Sequence, residues 1–396
     1  MDAALWYMAL AISGVLAVPT FVYAAECVAG SLPARRAKAR RTSSARPPVA
    51  VLVPAHNEQE GVAATVRAIR TQLAPGDRIL VVADNCTDDT AAVARDAGAE
   101  VLERSDPARR GKGFALEFGL SYLALSPRPV VVFVDADCTL LEGSLDALAR
   151  AVARSGRPAQ ACNLMISPKG RRREIGIAEF AFLVKNFVRP RGMARMGLPC
   201  QLTGTGMALP WSLANRTRIG GADLVEDMRL GLDLAATGQF PLYCEDAGVR
   251  SYFPETAAGA GSQRSRWETG HLGLVTSGFR RLATRQALAS PSYLAMVLDV
   301  MVPPLTLLAF LILLGAGIGL AIGGAGFGWA PFALALGLFT ILSASTILAW
   351  ATHGRAVIPA TLLLRIPQYV ASKAWIYPSV LVGRTERIWV RTSRDS

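Results

Sequence analysis

The string VVVFVDAD, Val130 to Asp137, ends an apolar β-branched run on two carboxylates spaced i and i+2. In an extended chain such residues point to one face, so Asp135 and Asp137 would present their oxygens together at the strand tip. That donor set suits Mg2+ or Mn2+, which are held by one or two carboxylates plus substrate phosphates. A lone DxD is more often a turn; at the end of a buried apolar strand it reads as a metal site.

Other polar residues fall at comparable places. Glu58 closes PAHNE, and Asp84 sits in VVADNCTDDT. Lys112 lies between Gly111 and Gly113 in RRGKGFA, just before a helix. The GxxxxGK[ST] pattern of a Walker loop is absent, so Lys112 either meets phosphate or begins a solvated helix, and its context favours phosphate. Glu226 and Asp227 sit near the start of the amphipathic LVEDMRLGLDL; charge favoured by a helix dipole is one reading, and against it the pair follows Gly220-Gly221 and lies upstream of QRSRW. GSQRSRWETGH, Gly261 to His271, is a polar stretch next to an apolar one. Its Trp267 could anchor at lipid headgroups with arginine snorkelling, which leaves open why so polar a stretch lies there.

The elements that must position these residues alternate. The spacing predicts strands in the β-branched run of PPVAVLVPAHNE, which starts at Pro47, and at Arg78 to Val82, Glu100 to Leu102 and Val130 to Val134, with helices between them, one carrying Val62, Val66, Ile69 and Leu73. Alternation of this kind implies a largely parallel, doubly wound α/β sheet whose ligands sit beyond the carboxyl ends of the strands. Glu58, Asp84, Asp135 and Asp137 all fall there.

The chain has 396 residues, 52% of them hydrophobic, which exceeds what a soluble core needs. Ala3 to Ala25 is almost uncharged and about as long as the roughly 20 residues that cross a bilayer. Positive charge follows it, from Arg35 to Arg46, which favours an uncleaved anchor over a signal peptide. Leu294 to Gly323 and Trp329 to Trp350 read as a helical hairpin, with Asp299 and the Pro303-Pro304 pair placing the membrane part after them or kinking it. Basic flanks at Arg35 to Arg46, Arg280 to Arg285 and Arg355 onward predict three spans with the N-terminus outside and the middle region in the cytoplasm. Thr361 to Val382, interrupted by Arg365, Pro367, Lys373 and Pro378, reads as an interfacial helix, because a charge at a bilayer centre costs about 2.5 to 3.5 kcal/mol. The net charge of +12 fits these membrane flanks, and no nucleic-acid-binding motif accompanies it. Six scattered cysteines without a CxxC pair argue against zinc and for a reducing compartment.

Taken together, PAHNE, VVADNCTDDT, GKG, VDAD, GTG, VED and QRSRW in this order resemble family 2 glycosyltransferases of the GT-A fold. Among these the chain is similar to the membrane-embedded QxxRW branch, such as cellulose, chitin, hyaluronan and poly-N-acetylglucosamine synthases; ceramide glucosyltransferases share the motif set. The resemblance covers roughly Val49 to Arg285 plus the membrane layout. It implies a GT-A domain with a mixed, mostly parallel sheet over residues 47–288, after a helix at 1–30 and a basic linker at 31–46. Two membrane helices at 289–352 and a tail at 353–396 would follow.

The resemblance also implies roles. Ala55, Glu58 and Asp84 would cradle uridine, Lys112 would contact phosphates, and Asp135 with Asp137 would serve nucleotide and metal. Asp227 matches the catalytic base, beside Glu226, and Gln263, Arg266 and Trp267 match QxxRW on the acceptor and diphosphate side. Thr205, in the TGTG segment Thr203 to Gly206, would lie near the acceptor, and His56 stands where many relatives have tyrosine. The expected enzyme is an inverting transferase in a bacterial inner membrane, using Mg2+ or Mn2+ to move sugar from a UDP-sugar to a growing polysaccharide or lipid-linked saccharide. Its other partners would be membrane lipids and, since three spans are few for a channel, a second copy of the chain or an export partner. Rival readings are single-sugar transfer to a membrane lipid and a catalytically silent scaffold. A nucleotidyltransferase lacks support, because no early glycine-rich loop carries the needed Arg and Lys.

Overall fold

The computed structural model describes residues 2–33, 46–168, 172–217, 219, 226–254, 257–366 and 368–370. The chain divides into two compact units. Among the described residues, a sheet unit comprises 46–166, 199–217, 219 and 226–254, and a helical unit comprises 2–33, 167–168, 172–198, 257–366 and 368–370.

The sheet unit has the strands β1 (Val49–Ala55), β2 (Arg78–Asp84), β3 (Glu100–Arg104), β4 (Val130–Phe133), β5 (Thr139–Leu140), β6 (Ala159–Ile166), β7 (Met207–Pro210) and β8 (Leu242–Tyr252). They form one sheet in the order β3-β2-β1-β4-β7-β6-β8-β5. β1, β2, β3 and β4 pair in parallel, as their alternation with helices requires, and so do β6 and β8. β7 runs antiparallel to both β4 and β6, and β5 antiparallel to β8. The mixed α/β sheet expected from the sequence is therefore present.

Strand periodicity sorts the core into two layers. Val49, Val51 and Val53 join Val62, Val66, Ile69, Leu145 and Leu148 on one face. Ala50 and Leu52 join Leu116, Leu120, Leu123, Leu230 and Leu234 on the other. The central strands are buried on both faces and so read as continuous apolar runs rather than alternating ones.

In the helical unit, three helices among the described residues are long and apolar enough to cross a membrane: Ala4–Ser31, Leu305–Gly324 and Ala330–Gly354. The first and last pack together, with Tyr23 and Thr346 hydroxyls 2.9 Å apart. Proline spacing explains the second run: one helix covers Pro291–Val300, the chain breaks at Met301 to Pro304, and a new helix begins at Leu305. The segment from Arg172 to Arg195 is helical throughout, with a π turn at Val184–Val188. Here Arg189 is buried between two carboxylates, its Nε 2.6 Å from Glu26 Oε2 and its Nη2 2.5 Å from Asp299 Oδ1. Arg191 and Arg195 donate to main-chain carbonyls at the end of the first helix, Arg191 Nη1 to Gly30 O at 3.1 Å and Arg195 Nη1 to Ala29 O at 3.2 Å. These carbonyls lie in the last turn of the helix, where cations meet the favourable end of the dipole.

Of the interfacial helix expected at Thr361 to Val382, the described portion contains a short helix at Ala360–Leu363. Lys373, Trp375, Tyr377, Pro378 and the basic cluster from Arg35 to Arg41 lie outside the described residues.

Candidate active site

Two groups of polar side chains gather in the sheet unit at the carboxyl ends of parallel strands. The first surrounds β1 and β2. Ala55 ends β1 and is buried, and the Glu58 amide donates to Thr90 Oγ1 at 2.7 Å. Asp84 ends β2 and is buried, with Arg104 Nη1 2.5 Å from its Oδ1. Arg104 is its direct partner in the parallel register of β2 and β3. His56 Nδ1 lies 2.7 Å from Asp84 O; a carbonyl only accepts, so Nδ1 carries the proton. Asn57 and Asn85 follow the two strands with φ of 54° and 52°, a left-handed geometry that asparagine tolerates better than most residues. Their side chains bond across the loops, Asn57 Oδ1 accepting from the Thr87 amide at 2.7 Å and Asn85 Oδ1 from the Asp106 amide at 2.8 Å.

The second group surrounds β4. Asp135, Asp137 and Cys138 bring one donor atom each to within 4.8 Å of one another. The strand stops at Phe133, so the carboxylates do not meet by strand alternation; they meet in a turn closed by the Cys138 amide on Asp135 O at 3.1 Å. Cys138 Sγ donates to Asp137 Oδ1 at 3.3 Å. Burial pushes this thiol well up and Asp137 and Asp135 add to the shift, so it stays neutral and orients Asp137. The two carboxylates are hard oxygen donors of the kind Mg2+ or Mn2+ prefers.

Lys112 opens the helix Lys112–Leu123. Its Nζ lies 2.5 Å from Asp135 Oδ1 and donates to Gly204 O at 2.8 Å. Gly204 has φ +81, and a Cβ there would meet Asp227 Oδ2 at 2.9 Å and Lys112 Nζ at 3.3 Å. Glycine is thus required on two counts, and the same contacts put Asp227 beside Lys112. Thr205, the next residue, accepts from the Asp135 amide at 3.1 Å through its hydroxyl. Glu226 and Asp227 begin the helix Glu226–Ala236. Leu224 and Val225 lie outside the described residues.

The electrostatics of this group are coupled. Burial lifts the Asp135 carboxyl above the usual carboxylate range, with Lys112 opposing and Asp137 adding. Burial also pushes Glu226 up to about 7, Asp227 adding to the shift and Lys112 opposing it. Burial alone would lower Lys112, but Asp135, Glu226 and Asp227 outweigh it and hold the ammonium well above its ordinary value. A lysine so fixed in charge is suited to holding an anionic ligand.

Gln263, Arg266 and Trp267 belong to the helical unit, on the helix Ala257–Leu282. Trp267 is 37% exposed and its ring centroid lies 5.8 Å from that of Phe182. The Arg266 side chain lies outside the described residues. Two residues escaped the sequence reading: Arg104 and Cys138. Cys138 had a local signal, being three residues after Asp135 in a turn. Arg104 had none, because its partnership with Asp84 exists only once the strand register is known.

A family model described as "Glycosyltransferase like family 2" matches residues 47–270. An uncharacterised glycosyltransferase of Mycobacterium tuberculosis is 38% identical over 100 residues, covering 25% of this chain and 41% of that protein. The probable glycosyltransferase YdaM of Bacillus subtilis is 28% identical over 258 residues, covering 60% and 58%. In each case the match spans less than two thirds of the relative's length. Among solved structures, the mannosyltransferase PcManGT from Pyrobaculum calidifontis, in complex with GDP-Man and Mn2+, aligns with a TM-score of 0.53 at 19% identity, covering 88% of this chain and 98% of that one.

Proposed function

Because this chain belongs to glycosyltransferase like family 2, we propose that it is an inverting membrane transferase moving a sugar from a UDP-sugar to a growing polysaccharide or lipid-linked saccharide. The observation that carries this reading is the convergence of Lys112, Asp135, Asp137 and the Glu226-Asp227 pair around Gly204. The loops of Ala55, Glu58 and Asp84 hold the nucleoside, and Arg104 fixes Asp84 in place. Lys112 offsets charge on the leaving diphosphate. Asp135 and Asp137 would hold Mg2+ or Mn2+, which when bound supplies further positive charge there. Asp227 takes the proton from the acceptor hydroxyl as it attacks. One base with direct displacement inverts the anomeric centre, so a UDP-α-sugar gives a β-linked product. Gln263, Arg266 and Trp267 serve the acceptor and diphosphate, the indole stacking on a sugar face.

The basic flanks support a catalytic unit in the cytoplasm and an N-terminus outside, in a bacterial inner membrane. One observation favours a second reading, single-sugar transfer to a membrane lipid. Three candidate spans among the described residues are few for a polymer channel in one copy. A Staphylococcus aureus relative, 35% identical over 94 residues covering 23% of this chain and 24% of the relative, is named a 4,4'-diaponeurosporenoate glycosyltransferase. The test is to incubate membranes containing the protein with a panel of labelled UDP-sugars, with GDP-mannose as comparison, and to size the product. A labelled polymer or lipid-linked oligosaccharide from one UDP-sugar is expected. A single-sugar lipid would establish the second reading, and transfer from GDP-mannose alone would remove uridine from the assignment.

A further inference from the structure

The helix Ala257–Leu282 carries Gln263, Trp267 and His271 at intervals of four residues, which places all three along one face. His271 is buried, with Nε2 3.0 Å from Val300 O. The carbonyl only accepts, so Nε2 carries the proton and donates. Why Val300 needs a side-chain donor is written in the sequence. In a continuing helix the carbonyls of Asp299 and Val300 would accept from the amides of residues 303 and 304, and both are proline, without an N–H. Asp299 O is met instead by Arg189 Nη2 at 3.0 Å and the Val302 amide at 3.2 Å. Val300 O is met by His271.

The same face is seated again farther along. A Cβ on Gly278 would lie 2.4 Å from Met301 Cγ, so a larger residue would have to displace that side chain, and Arg281 Nη1 donates to Tyr293 Oη at 3.2 Å. His271 against Val300 and Arg281 against Tyr293 make the two helices antiparallel. Burial pushes the imidazole down to about 3, Lys185 and Arg189 adding and the Val300 bond opposing, so the ring remains a neutral donor.

Resting on the transfer reaction proposed above, we propose that His271 is a positioning residue for the acceptor side: by capping the carbonyl that Pro304 leaves open, it fixes the rotation of the helix that presents Gln263 and Trp267. A slip of one residue turns such a face by about 100°, which would carry the indole away from any substrate it stacks on.

The full-length protein, in lipid nanodiscs, tests this with two variants. His271→Leu keeps bulk and loses the donor; His271→Gln keeps an N–H. Under the proposal, His271→Leu loses roughly 10- to 100-fold in kcat/KM for the acceptor, the effect of misplacement by about 1 Å, while nucleotide affinity is unchanged. His271→Gln recovers most of that loss, and amide hydrogen exchange over residues 263–270 rises in His271→Leu. Near-normal turnover per folded molecule in His271→Leu, or a glutamine variant no better than leucine, would overturn it. If the wild type transfers no sugar, the reaction reading falls and exchange alone decides the cap: protection in His271→Leu equal to wild type refutes it. Should the leucine variant not fold, His271→Asn, whose amide falls short of the carbonyl, takes its place.

Discussion

The two units use buried charge in opposite ways. In the sheet unit Lys112, Asp135, Glu226 and Asp227 raise and oppose one another's ionisation in a cluster dominated by carboxylates. In the helical unit Arg189 is bound to Glu26 and Asp299, and its Nη2 also bonds Asp299 O. The first cluster sets one ammonium among several carboxylates; the second ties three segments of the chain. Buried charge alone therefore does not mark a site, and the difference to look for is whether like charges crowd together or opposite charges pair.

The largest expected effect tests the first half of that contrast. Chelation with EDTA should abolish transfer, and Mn2+ or Mg2+ should restore it in wild type but not in Asp137→Ala. Full activity in chelator would make the carboxylate cluster as self-contained as the arginine one. Next comes Asp227→Asn, expected to cost about 10²- to 10⁴-fold in turnover, the usual worth of general-base catalysis, with UDP affinity nearly intact. Turnover near wild type would dismiss Asp227 as the base.

Arg189→Leu probes the other side. Removing the shared partner leaves Glu26 and Asp299 as buried, uncompensated carboxylates, a loss of about 3–5 kcal/mol in stability. The thermal midpoint in detergent should fall, and adding Glu26→Gln and Asp299→Asn should recover part of the loss. An unchanged midpoint would show that the cluster does not tie the helices.

The contrast also explains what the sequence could disclose. Asp135 with Asp137, Glu226 with Asp227, and Lys112 between its glycines are each encoded within a few residues, and all were legible. Even there the reason differed in detail, since the DxD carboxylates meet in a turn rather than on a strand. The proline break before Leu305 was equally local. Arg189 was not legible, because RPRGMAR resembles a solvated basic face and its partners lie 163 and 110 residues away. The order of β5 to β8 was hidden for a similar reason: β5 and β7 are short, and β7 finds its antiparallel place only against strands contributed from far along the chain.

The smallest expected effect concerns Glu226, and it separates a carboxylate kept for function from one kept for stability. Burial raises its folded pKa from 4.5 to about 7, so between those values the folded protein holds a proton that the unfolded chain has released. By linkage the contribution of this group is most favourable below about pH 4.5 and is lost as pH rises toward about 7, the penalty being complete above that. Glu226→Gln removes the ionisation altogether. In chelator at pH 8 the variant should therefore be more stable than wild type, by about 1–3 kcal/mol in urea unfolding, and the difference should shrink at pH 5. A gain in stability joined to a loss in transfer would mean that Glu226 is held at an energetic cost for what it does with a ligand, the opposite of Arg189. A variant no more stable than wild type at pH 8 would show that the Glu226 charge is already compensated within the chain, and the contrast between the two clusters would narrow to Asp135 and Asp137.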